Sequence, residues 1–116
     1  MTLDPVVAAV AAVAVWLVLR RFIGGKASMS IVRQKIEAGA SIVDVRTPEE
    51  FRDGAYPGAR NIPLQVLAAR MAEIPKDKPV VLYCASGGRS GLAARQLKQA
   101  GWPDVTNAGG LGDMPR

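Results

Sequence analysis

Residues 80–95 read VVLYCASGGRSGLAAR, and their reading decides the fold. Residues 80–83 are apolar, β-prone and short, which predicts a strand buried on both faces. From Ser90 the pattern changes: Leu92, Ala93, Leu97 and Ala100 recur at helical spacing, with Arg95, Lys98 and Gln99 between them. Between strand and helix sits a loop, Cys84, Ala85, Ser86, Gly87, Gly88 and Arg89. Small residues let such a loop curl so that successive backbone N–H groups point inward as an anion-binding nest. The start of the following helix adds partial positive charge at the same place. A thiol there ionises more readily, and the thiolate is the nucleophilic form. A lone cysteine is more often inert core, but Cys84 ends its strand where open α/β sheets place their ligands. Cys84 is read as the catalytic nucleophile.

Composition narrows the chemistry. The chain has 116 residues, a net charge of +5, one cysteine and no histidine. One domain of ordinary size fits that length. Without histidine there is no Ser-His-Asp or Cys-His catalysis, and most zinc and haem sites are excluded. A single cysteine excludes an intrachain disulfide, a Cys-x-x-Cys redox pair and a cysteine-based zinc ribbon. Ionisation of Cys84 must therefore come from amides, the helix terminus or arginine. The basic balance is not assigned to nucleic acid, because aromatic residues are few.

Outward from the central stretch, strands and helices alternate. Ser30 is expected to cap a helix carrying Ile31, Val32, Lys35 and Ile36, with Gly39 as its stop. Residues 42–45 read as a buried strand. Thr47, Pro48, Glu49 and Glu50 then read as a capping box with proline at the first helical position, and Phe51 is expected to face the core. Pro57 and Gly58 mark a turn, residues 59–62 a short strand, and residues 64–72 a helix with Leu64, Leu67, Ala68 and Met71 on one face. The last strand covers 105–108, and the tail from Gly109 to Arg116 is expected to be irregular. The fold class is α/β, a small, mainly parallel sheet flanked by helices on both faces.

One transmembrane helix is expected to precede it. Residues 5–19 are almost continuously apolar, about fifteen residues where a span wants ~20. Thr2 at one end, with snorkelling Arg20 and Arg21 and then Phe22 and Ile23 at the other, brings it near that length. A cleaved signal peptide fits less well, since only Asp4 precedes the run and no clean A-x-A site follows. The expected organisation is a membrane anchor over 1–23, a linker over 24–29 and a globular domain over 30–116. Arg20, Arg21, Lys26, Arg33 and Lys35 follow the span and nothing basic precedes it. The positive-inside rule then gives a single-pass protein of the cytoplasmic membrane, with its domain facing the cytoplasm and the lipid bilayer as a partner.

Four motifs in order resemble one known family. Residues 84–91, CASGGRSG, look like the active loop of the rhodanese (sulfurtransferase) family. Residues 42–51, IVDVRTPEEF, resemble its strand-and-helix signature, and 56–64, YPGARNIPL, the segment that follows. Residues 105–111, VTNAGGL, are similar to its closing strand and turn, most closely in single-domain members of the bacterial phage-shock type. One departure is plain. Where the family often has Gly-His-Ile-Pro-Gly, this chain has Gly54, Ala55, Tyr56, Pro57 and Gly58.

The resemblance implies sulfane-sulfur transfer, with no metal or organic cofactor. Cys84 would take sulfur from thiosulfate or a persulfide donor, and a thiol or cyanide would accept it from the Cys84 persulfide. Residues 85–90 (Ala85, Ser86, Gly87, Gly88, Arg89 and Ser90) would bind the substrate, with backbone amides holding the charge. Two competing readings use the same residues. Phosphatase or arsenate-reductase loops normally place five residues between cysteine and arginine; here four separate Cys84 from Arg89. A non-catalytic interaction module would not need the cysteine at all. Supporting roles go to Asp44, Arg46 and Glu50. Asp44 and Arg46 are either hydrogen-bonding groups at a strand end or an ordinary surface pair. Arg89 either lines the entrance or ties the loop to Asp44 or Glu50. Ser86 and Ser90 can donate to the sulfur, and Ser90 is also a natural helix N-cap.

Overall fold

A computed structural model of the chain describes residues 4–23 and 26–116. Among these residues four strands form one wholly parallel sheet: β1 (Ser41–Asp44), β2 (Arg60–Asn61), β3 (Val80–Cys84) and β4 (Val105–Gly110), in the order β2-β1-β3-β4. The helices are α1 (Pro5–Ile23), α2 (Met29–Glu37), α3 (Pro48–Arg52), α4 (Leu67–Arg70) and α5 (Gly88–Gln99). The expected central strand is β3, and every residue in it is buried. Its side chains alternate between two cores, as a pleated strand requires. Val80, Leu82 and Cys84 pack with Ala93, Leu97, Leu67 and Ile62 on the α5 face. Val81 and Tyr83 pack with Val32 of α2, Ala108 and Met114 on the other. Helices therefore cover both faces.

Two details of this sheet position the site. In the β1–β3 register Asp44 lies beside Tyr83, so both strands end level and release their following loops at the same edge. In the β3–β4 pair the register shifts: Leu82 faces Asn107, but Tyr83 faces Gly109. The extra residue is Ala108, and Gly109 takes φ +94° to accommodate it. Such a bulge re-aims neighbouring side chains, and it turns Asn107 towards α5.

Several local expectations need correction. Ser28, not Ser30, caps α2, its hydroxyl accepting from the Ile31 N–H at 3.4 Å. The capping box of α3 forms as expected, but Phe51 is only half-buried and belongs to neither core. The helix expected over 64–72 is broken into α4 with a 3-10 turn on either side, in a segment between Pro63 and Pro75. The tail is not irregular: β4 runs on through Gly110, a 3-10 turn covers Leu111–Asp113, and Met114 is buried. Tyr56 donates its hydroxyl to the Pro115 carbonyl at 2.8 Å, which pins that end across the sheet edge.

The expected transmembrane helix is also corrected. No helix among the described residues is long and apolar enough to cross a membrane. Helix α1 does form, but its 19 residues span only about 28 Å at 1.5 Å each, and they include Arg20 and Arg21. Residues 1–3 of that expected span, and Gly24 and Gly25 of the expected linker, lie outside the described residues. Within the rest of that linker the Ala27 N–H donates to the Asn107 carbonyl at 2.8 Å, along the edge of β4.

Candidate functional site

Cys84 is the last residue of β3, and Gly87 turns the chain from that strand into α5. Gly87 has φ +105°, and a Cβ there would lie 3.3 Å from the Gly109 Cα. Only glycine satisfies both the left-handed backbone and the close approach of β4. This tight turn brings donors onto the sulfur. The Gly87 N–H donates to Cys84 Sγ at 3.0 Å, and the Ser90 hydroxyl lies 3.4 Å from it. Burial of Cys84 pushes its thiol pKa up. The Ser90 hydroxyl and the backbone N–H groups of Ser90, Ser86 and Gly87 outweigh that, and the net shift is downward.

The structure sorts the remaining residues singled out in the sequence. Ala85, Ser86 and Gly88 are exposed on the loop, and Ser86 acts on the sulfur through its backbone. Ser90 is fully buried inside the first turn of α5 rather than at its cap, a position that Gly87 takes. Arg89 does not turn into the loop. Its Nη1 and Nη2 pair with Glu50 Oε1 and Oε2 at 2.7 and 3.0 Å, linking the loop to α3. That guanidinium, with the Thr47 N–H of the capping box, lowers the Glu50 carboxyl to about 2.

Asp44 and Arg46 are not a surface pair. Asp44 is wholly buried and Arg46 nearly so, and Arg46 Nε and Nη2 grip the carboxylate at 3.0 and 2.7 Å. Arg46 Nη2 also donates to the Gly54 carbonyl at 2.7 Å, and its guanidinium lies over the Tyr83 ring. Neither residue is hydrogen-bonded to Cys84; together they hold the 46–54 segment that carries Glu50.

Three functional neighbours escape sequence reading. Asn61 Nδ2 donates to the Asp44 and Arg46 carbonyls at 3.1 and 3.0 Å, closing the end of β1. Gly110 lies so close to the loop that any Cβ would strike the Ala85 carbonyl oxygen. Asn107, buried on β4, accepts the Ser90 hydroxyl at Oδ1, 2.7 Å away. An asparagine inside a buried strand is unusual by β-propensity, and that was the available signal. Behind the loop Gly87, Gly88 and Asn107 floor an open groove of about 620 Å³ flanked by Lys26, Arg95 and Lys98.

Residues 28–111 match the model of the rhodanese-like domain family. The chain belongs to that family. It is 42% identical over 74 residues to the thiosulfate sulfurtransferase PspE of Escherichia coli, covering 62% of this chain and 71% of that one. It is 46% identical over 69 residues to a sulfurtransferase of Allochromatium vinosum, covering 60% of this chain and 64% of the relative's length. Among solved structures, a rhodanese with anions from E. coli superposes with a TM-score of 0.62 at 40% identity, covering 66% of this chain and 95% of that one.

Proposed function

We propose that this rhodanese-like domain transfers sulfane sulfur through a persulfide on Cys84. The observation that carries this reading is the convergence of the Gly87 N–H and the Ser90 hydroxyl on Cys84 Sγ at the end of β3. These donors favour an anionic sulfur, which is the form of both the attacking thiolate and the resulting persulfide. In the first half-reaction the thiolate attacks the outer sulfur of thiosulfate. A new S–S bond forms to Cys84, the old S–S bond breaks, and sulfite leaves with its electron pair. In the second, cyanide or a thiolate attacks the terminal sulfur, and the Cys84 thiolate leaves and is regenerated. A protein-bound persulfide serves as donor by the same displacement. Thiosulfate as donor is supported by the relationship to PspE.

The oxyanion readings are disfavoured by Arg89. A phosphatase-type loop needs its arginine on the bound anion, and here both terminal nitrogens are engaged by Glu50.

Intact mass spectrometry tests the proposal. Thiosulfate should add one sulfur, about 32 Da, to the chain, and cyanide should remove it. Cys84→Ser should show neither change. A chain that stays at its original mass while Cys84 still alkylates overturns the reading.

A further inference from the structure

Ser90 carries one hydroxyl proton, and four acceptors surround it. Asn107 Oδ1 lies at 2.7 Å, the Gly87 carbonyl at 3.2 Å, the Gly109 carbonyl at 3.3 Å and Cys84 Sγ at 3.4 Å. The orientation of Asn107 is fixed by its other bonds. Oδ1 accepts the Gly109 N–H at 2.9 Å, and Nδ2 donates to the Gly87 carbonyl at 3.3 Å. Its oxygen, not its nitrogen, therefore faces Ser90. The β4 bulge sets this up, because Gly109 with its positive φ folds its own N–H back onto the Asn107 side chain.

We infer that Asn107 Oδ1 and Cys84 Sγ are alternative acceptors for the single Ser90 hydroxyl proton, so that Asn107 is a positioning residue acting on the thiol through Ser90. In the resting thiol state the proton points to Asn107 at the short distance, and Ser90 Oγ presents a lone pair to the Cys84 S–H. When the thiol loses its proton to water, the hydroxyl turns to the sulfur and gives up the Asn107 bond. Asn107 thus holds back part of the stabilisation that Ser90 offers the thiolate. That restraint has a use: intrinsic nucleophilicity of a thiolate falls as its pKa falls, so over-stabilising it slows attack.

Three ion pairs lie around the loop. Arg89 at the start of α5 is paired with Glu50 of α3. Arg46 is paired with Asp44 at the end of β1. Asp113, after β4, is paired with Lys26, which precedes α2. Arg95 and Lys98 of α5 line the groove behind the loop and are unchanged in every variant compared, so differences between variants report the dipolar contest.

The inference rests on Cys84 being the reacting thiol, and its test does not use sulfur transfer. The pH dependence of iodoacetamide alkylation of the full chain gives the Cys84 pKa directly, whether or not the chain forms a persulfide. Asn107→Ala or Asn107→Val removes the competing acceptor and should lower that pKa, giving about three- to tenfold more thiolate at pH values below it. Ser90→Ala should raise the pKa. In a Ser90→Ala background the Asn107 substitutions should have no further effect. Two results overturn the inference: a folded Asn107 variant whose pKa is unchanged or raised, or a lowering that persists without Ser90. Should neither Asn107 variant fold, the infrared S–H stretch of the unsubstituted chain decides. It should move to higher frequency in Ser90→Ala, and an unmoved band overturns the proton arrangement.

Discussion

Arg89 and Glu50 meet side by side, two guanidinium nitrogens on two carboxylate oxygens at 2.7 and 3.0 Å. Glu50 also accepts the Thr47 N–H at 3.2 Å, so one carboxylate closes the α3 capping box and clamps the cysteine loop. Its pKa is lowered from 4.5 to about 2, chiefly by Arg89. A carboxyl depressed in the folded state contributes stability that is fully present above its unfolded value and is lost as pH falls through the folded one. Urea unfolding should therefore show stability draining away between about pH 4.5 and pH 2. Glu50→Gln should flatten that dependence. An unchanged profile in the variant would show that other carboxylates govern the acid limb.

The buried pair behind the loop makes a different prediction. Asp44 is inaccessible and accepts the Arg46 side chain at both oxygens. Removing one partner of a buried pair strands the other without water, at a cost of about 3–5 kcal/mol, whereas replacing both with apolar groups is often nearly neutral. Arg46→Met alone should lower stability by that order, and Asp44→Val with Arg46→Met should recover a large part of it. The chemical-denaturation midpoints of the three proteins check this. Equal losses in the single and double variants would mean that Arg46 matters through the Gly54 carbonyl and the Tyr83 ring instead.

Gly110 predicts how closely the loop is fitted to the sheet. A methyl group at this position would meet backbone, the Ala85 carbonyl, and not a flexible side chain. Gly110→Ala must displace either the first residue after Cys84 or the strand itself. Overpacking of this kind costs about 1–3 kcal/mol, and here it falls on the cradle. The expected outcome is a folded, destabilised domain whose rate of persulfide formation drops at least tenfold, as about 1.4 kcal/mol of misplaced donors would require. Gly112→Ala, where a Cβ meets nothing within 4 Å, is the control.

What the sequence reveals here is what neighbouring residues decide among themselves. The capping box needs only Thr47 and Glu50, three positions apart, and it forms as expected. The buried strand ending in Cys84 is legible from five residues. For Arg89 the sequence leaves open both the entrance and a tie to an acid such as Asp44 or Glu50, and the structure pairs it with Glu50. What could not be read depends on contacts between distant segments. The role of Asn107 is created by a one-residue bulge and by the approach of α5, 17 positions away in sequence from Ser90. The order of the tail comes from Tyr56 and from the burial of Met114, neither of which leaves a pattern within residues 109–116. The N-terminal run reads as a span by its apolar composition, yet no helix among the described residues is long and apolar enough to cross a membrane.

Helix α1 yields the last prediction. Its described side chains, residues 5–17, are all exposed, among them Val6, Val10 and Val13 at more than half of their full accessibility. Exposed apolar side chains add nothing to the hydrophobic stabilisation of the sheet layers. The contacts that hold the beginning of the domain lie after them: Lys26 to Asp113, Ala27 to the Asn107 carbonyl, and Ser28 as the cap of α2. A chain starting at Lys26 should therefore unfold at the same denaturant concentration as the full chain, with the same slope, and should form the Cys84 persulfide at an unchanged rate. It should also be more soluble, because an apolar surface of this extent drives association. A clear fall in the unfolding midpoint on removing residues 1–25 would show that α1 packs against the domain in solution.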